Sequence, residues 1–333
     1  MKKQPASEPA KIKRDRILFF DILRIVFVAA IVYDHSQYTL IPWFNNLVFA
    51  SGNLPLDIYS RGFQGWAVFG MIFISGAVLE YNYQGIERLW NYSTFLFRRF
   101  IRLYPAFWMS LLFGLLLNVI LTLSVAKEII TNNLFLIIFE YTGFFIILGE
   151  GPGFINNMGW FITTIVCLYL IYPYLSKIIR EYQLTALLAF LVISFVSRSL
   201  LFTYSGALPE SFVRWFPLCN LFEFCLGIYI IQKNWYPKSV NTSPFIRKVS
   251  DLSFYVFLFH TVVLGPLLAV MTTNASLFQI TNQVVSGQSD IQLTVYYIIA
   301  ISLVLVVSWI AMSLDQHIQR RILNSEYGKK YLQ

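Results

Sequence analysis

Two residues in the segment DILRIVFVAAIVYDHS, residues 21–36, are spaced for chemistry. Arg24 and His35 stand eleven positions apart. On a helix that is three turns plus about 20°, so both leave nearly the same face, about 16 Å apart along the axis. An imidazole exchanges protons near neutral pH, and a guanidinium can hold an anion or a developing negative charge. The pair therefore reads as a functional site on one polar path, the alternative being a snorkelling Arg24 and an interfacial His35 near the outer end. Asp21, three residues before Arg24, can offset its charge, whereas Asp34 points about 100° away from His35 and reads as interfacial.

A second group lies in FRRFIRLYP, residues 97–105. Arg99 and Arg102 stand at i,i+3 with Arg98 beside them, and guanidinium forks grip phosphate bidentately. The same cluster also suits anchoring at a membrane face or binding of anionic headgroups. His260 falls within an apolar aromatic run, as a second catalytic or orienting group or as a hydrogen-bonded structural histidine. Glu140, Glu223 and Arg198 also fall in or near apolar segments, and Glu223 has a charge partner available in Arg24 or Arg198. His317 lies in the tail and reads as a surface residue.

The elements that must position these residues are membrane helices. The chain has 333 residues, of which 57% are hydrophobic and 13% charged, against about 25% charged in soluble domains. Apolar runs suited to crossing a bilayer, about 20 residues each, occur at 17–39, 66–83, 105–125, 133–149, 158–175, 184–204, 213–232, 250–271 and 291–314. The expected fold is all-α and polytopic, a single bundle of about ten transmembrane helices over 17–314. Basic tails flank it at 1–16 and 315–333. The net charge of +8 clusters at the ends of apolar segments, which argues for topology signals and against nucleic acid. Cys167, Cys219 and Cys225 lie inside apolar segments and match no zinc spacing, so neither a metal nor a structural disulfide is expected.

Loop charges set the orientation. Arginines and lysines concentrate in residues 84–104, 233–249 and the C-terminal tail, and the first sixteen residues are also basic. All four should be cytoplasmic, with 40–65 and 272–290 outside. Nine spans cannot leave both termini on one side, so either one apolar stretch is re-entrant or a tenth span is hidden in a region read as loop. The weakest of them is 133–149, which is short, carries Glu140 and runs into GEGPGF.

Several landmarks in order resemble the membrane acyltransferase-3 family over about residues 17–314. They are the Arg-x10-His element at Arg24 and His35, and FISGAV with Ser75 and Gly76. Arg99 and Arg102 followed by Pro105 come next, then WFITTIVCLYLIYP with Trp160, Tyr169 and Pro173. FCLG from Phe224 to Gly227 and SFYVFLFH ending at His260 complete the series. Many members carry a glutamate pair after the tryptophan, where this chain has Ile165 and Val166.

The resemblance implies a multi-pass enzyme of the cell membrane that moves an acyl group, often acetyl, from acyl-CoA to an extracytoplasmic glycan or polysaccharide. Acyl-CoA would be the donor substrate, bound through its phosphates at Arg99, Arg102 and Arg98. His35 would be the general base and Arg24 would hold the acyl carrier or the oxyanion. Ser75, Trp160 and His260 would be supporting residues, and Glu223 joins them on its polarity alone. Transfer through an acyl-histidine is an alternative route. The rival class is a transporter or flippase using Arg24, His35 and Glu223 as a relay.

Overall fold

The computed structural model describes residues 16–40, 62–83, 89–121, 130–148, 153–204, 216–237, 242–272, 290–326 and 328. Among them every regular element is helical. The order is α1 (Leu18–Leu40), α2 (Gly62–Tyr83), α3 (Leu89–Leu121), α4 (Leu134–Tyr141), α5 (Gly159–Tyr204), α6 (Leu221–Gln232), α7 (Pro244–Thr272) and α8 (Asp290–Asn324). The segments 41–61 and 273–289, expected outside the membrane, lie outside the described residues, as does the tail before residue 16.

Among the described residues, four stretches are long and apolar enough by themselves to cross a membrane: Tyr92–Ile120, Gly159–Leu201, Pro244–Gly265 and Tyr297–Asn324. This is an all-α membrane protein. At 23 and 22 residues, α1 and α2 also have the length of a bilayer crossing. The expected spans 158–175 and 184–204 lie on one assigned helix, α5, divided where Gln183 takes φ 48° and ψ −120°. That left-handed residue turns the chain between two legs, and the Lys233 ammonium donates to the Gln183 amide oxygen at 2.6 Å.

The segment 133–149 does not form a spanning helix. It resolves into α4, only eight residues long, a turn at Gly143 with φ +78°, and a 3-10 turn at Phe145–Leu148. Eight residues rise about 12 Å, well short of a hydrocarbon core of about 30 Å. The carbonyls at its C-terminal end are capped from neighbouring helices. Trp108 Nε1 donates to Tyr141 O at 2.8 Å, Tyr104 to Thr142 O at 2.9 Å and Thr163 to Gly143 O at 2.6 Å.

Helices in a bilayer gain little from hydrophobic burial against one another, so close packing and polar bonds must hold them. α2 and α6 approach each other closely, where two glycines remove the side chains that would keep the backbones apart. A Cβ on Gly76 would stand 2.1 Å from Phe224 O, and one on Gly227 would stand 2.2 Å from Phe73 O. FISGAV and FCLG are thus the two halves of one helix crossing. Glu80, buried on α2, fastens the same region by accepting from Tyr172, Ser176 and Gln232 at 2.8, 2.7 and 3.0 Å.

α1 and α7 lie side by side and run parallel. Asp21 and Arg24 meet Ser250 at one end, and His35 meets His260 at the other. Eleven residues on α1 and ten on α7 rise about 16 and about 15 Å, so the two contacts fix one register.

Substituting Gly76→Ala or Gly227→Ala should cost about 1–3 kcal/mol through overpacking. Thermal unfolding in lipid nanodiscs should show a lowered midpoint for both. Gly265→Ala, where a Cβ meets nothing within 4 Å, should unfold like the wild type.

Candidate active site

The two intramembrane histidines are hydrogen-bonded to each other. His35 Nδ1 and His260 Nε2 are 2.7 Å apart, with ring planes inclined by 15°. α1 and α7 present them from facing sides, and His260 is wholly buried, with the Phe257 ring tilted toward it at 6.1 Å between centroids.

The tautomers follow from the acceptors. His260 Nδ1 lies 2.8 Å from Phe257 O and 3.2 Å from Val256 O. A carbonyl only accepts, so Nδ1 carries the proton and His260 Nε2 is left as an acceptor. His35 must then donate from Nδ1, which leaves the proton-accepting lone pair of His35 on Nε2. The chain runs Phe257 carbonyl, His260, His35, each member fixing the next. That is the logic of a base held in one tautomer by an orienting group, with a neutral imidazole in the place of a carboxylate.

Arg24 is not part of this pair. Its Nη1 donates to Ser250 at 3.3 Å and stands 3.8 Å from Asp21, three turns below His35. The expected Asp21–Arg24 pairing is present, but the tighter partner of Asp21 is Arg16. Arg16 meets it through Nε at 3.1 Å and Nη2 at 2.5 Å and reaches Asp251 at 2.9 Å. Ser250 closes the cluster by donating to Asp21 at 2.7 Å. The Asp34 side chain lies outside the described residues.

Arg99 is held by aromatic groups. Its guanidinium lies over Tyr83, Phe95 and Tyr169 at 4.9–6.0 Å, and Nη2 donates to the Tyr83 hydroxyl at 2.8 Å. The Nε atoms of Arg98 and Arg99 are buried without a hydrogen-bond partner, while Arg102 is exposed. Donors left unpaired at a buried site carry a desolvation cost that an anion would remove.

The remaining expected residues serve the frame. Ser75 bonds back to Met71 O at 3.0 Å within α2. Trp160 is buried in the first turn of α5, edge-on to Phe161, and Phe161 in turn packs edge-on to Phe257 at 4.7 Å. Of the two partners open to Glu223, the fold takes Arg198, at 2.6 Å. Sequence reasoning gave no role to Arg16, Ser250, Asn156, Ser110 or Thr261. Arg16 meets Asp21 five residues on, outside the i,i+3/i+4 spacing of a helix, and the other four are ordinary polar residues with partners distant in sequence. The three cysteines are free and all wholly or partly buried, and no group of three or more metal-ligating side chains occurs among the described residues.

The sequence model of a family described as an acyltransferase domain, Acyl_transf_3, matches residues 17–247. The chain belongs to the acyltransferase-3 family. It is therefore a membrane acyltransferase, and α1 with His35, the arginine cluster of α3 and the α2–α6 crossing all fall within the match. His260 lies beyond the matched segment, so its place beside His35 is a finding of the structure. Comparisons with curated proteins and with solved structures give no match.

The chain has three histidines, which makes the tautomer assignment directly observable. In nitrogen-15 histidine spectra of the protein in nanodiscs, His35 and His260 should both appear protonated on Nδ1 and bare on Nε2. A protonated Nε2 on His260 would contradict the assignment.

Proposed function

We propose that this acyltransferase moves an acyl group, acetyl by preference, from cytoplasmic acyl-CoA to a hydroxyl of an exported or cell-surface polysaccharide. The observation that carries the reading is the His35–His260 hydrogen bond, because it leaves a neutral base with its lone pair defined inside an apolar bundle. His35 Nε2 takes the proton of the acceptor hydroxyl as that oxygen attacks the thioester carbonyl. A C–O bond forms, the C–S bond breaks, and the proton passes from His35 to the departing CoA sulfur. General-base assistance of this kind contributes about 10²–10⁴-fold.

The donor's phosphates suit the arginine cluster. Arg98 and Arg99 have buried Nε donors to satisfy, and exposed Arg102 lies near enough for its charge to act on Arg24. Arg24, three turns from His35, fits the carrier end of the donor and is out of place for the reacting carbonyl. A pantetheine arm running along α1 toward His35 would cover the intervening distance of about 16 Å.

We place both termini in the cytoplasm. Parallel α1 and α7 need an odd number of crossings between them. Reading α2, α3, the two legs of α5, and α6 as those crossings gives five, with α4 as a non-spanning element. With α8 the total is eight, which returns the C-terminus to the side of the N-terminus, in line with the basic loops.

The relay that a transporter would need is broken up by the contacts. Glu223 is held by Arg198, Arg24 by Ser250 and Asp21, and His35 by His260.

Purified protein in nanodiscs, given acetyl-labelled CoA and an oligosaccharide acceptor bearing free hydroxyls, should release CoA and label the glycan. His35→Ala should lower kcat by about 100-fold or more. Arg99→Gln should raise the donor KM by about 10–100-fold, the loss of charge-assisted bonds worth about 1.5–3 kcal/mol. Wild-type protein that neither binds nor cleaves the donor would overturn the reading. Full activity in His35→Ala would overturn the assignment of the base.

A further inference from the structure

The segment GEGPGFINN was marked in the sequence by its glycines and by Glu140 upstream, yet acyl transfer at the histidine pair gives it no task. From Gly153 on, where the segment is described, its geometry is specific. Glu140, wholly buried at the end of α4, accepts three consecutive backbone N–H groups. Oε2 takes those of Phe154 at 3.2 Å and Ile155 at 2.7 Å, and Oε1 takes that of Asn156 at 3.0 Å. A buried carboxylate needs such donors to remain ionised, and in return it fixes the backbone that supplies them. The curl tolerates no side chain at Gly153, where a Cβ would stand 2.0 Å from Asn156 O and 2.8 Å from Glu140 Oε1.

The clamp delivers Asn156 to the core with every hydrogen-bonding position used. Nδ2 donates to Ser110 Oγ on α3 and to Leu258 O on α7, both at 2.9 Å. Oδ1 accepts from Met158 N–H and from the Thr261 hydroxyl, both at 2.9 Å. Leu258 and Thr261 bracket His260 on the same turn of α7. One amide, itself immobilised by a buried carboxylate, therefore grips α7 on both sides of the residue that orients the base.

We infer that Asn156, locked in place by Glu140, is the positioning residue that sets the rotation and height of α7 so that His260 meets His35. The inference rests on the proposed transfer at that pair for its kinetic consequence alone. A nitrogen-to-nitrogen hydrogen bond weakens once the atoms separate beyond about 3.2 Å, so a slip of well under one helical residue uncouples the histidines. The donor site on α3 would be left as it was. A residue needed only for folding would instead alter binding and turnover together.

The test uses the full chain in nanodiscs, labelled with nitrogen-15 histidine, with His317→Gln as background so that two imidazoles remain. The wild-type background should show the His35 Nδ1 proton far downfield, shared with His260 Nε2. Asn156→Ala and Glu140→Gln should lose or shift that resonance and lower kcat for acetyl transfer at least tenfold, with the KM for acetyl-CoA within about twofold of wild type. Thr261→Val and Ser110→Ala each remove one bond of the cluster, and they decide the matter if the first two variants do not fold. Both should move the resonance and lower kcat severalfold. An unmoved resonance with wild-type kcat in a folded variant overturns the inference. Wild-type protein that transfers no acyl group, but whose resonance still responds to Asn156→Ala, would refute the proposed reaction and leave the positioning role standing.

Discussion

The fold turns on one hydrogen bond inside the bilayer region, between His35 Nδ1 and His260 Nε2. Two imidazoles in an apolar bundle are a liability unless each ring nitrogen has a partner of the right kind. The Phe257 carbonyl sets the first proton, and the order of donors and acceptors then follows without choice as far as His35. Chemistry and packing are thus the same problem here. Whatever aligns α1 with α7 also prepares the base proposed at His35.

That alignment is secured at three heights. At the basal end, Arg16, Asp21, Ser250 and Asp251 tie the start of α1 to the first turns of α7. In the middle, Val28 and Ile31 of α1 and Phe257 of α7 belong to one continuous apolar core. Toward the far end, the Asn156 amide holds α7 against α3. Polar groups are scarce in this bundle, and most of the wholly buried ones serve as such fasteners. Glu80 does for α2, α5 and α6 what Asp21 does for α1 and α7.

What the sequence made legible was local. The shared face of Arg24 and His35 needs only the helical period, and the apolar runs give nearly every helix. Glu140 in a short apolar segment beside glycines marked the stretch that resolves into a short helix and turns. Tertiary facts were out of reach. His260 was visible as an intramembrane histidine, but nothing in one chain's pattern says that residues 225 positions apart share a hydrogen bond. Asp21 was assigned to Arg24 because i,i+3 neighbours are the only partners that periodicity can see. Arg16, the last basic residue of the tail, proved the closer partner. Asn156 carries no signal at all, since an asparagine near glycines reads as an ordinary turn residue.

The most direct test of the histidine pair is a double-substitution cycle on single-turnover acetyl transfer, with the donor already bound. Groups that act as one unit lose their effect together and not additively. His260→Ala should slow transfer by at least about tenfold without weakening donor binding. Combining it with His35→Ala should be no slower than His35→Ala alone. Additive losses, or a His260→Ala variant as fast as wild type, would contradict the pairing as the source of the active base.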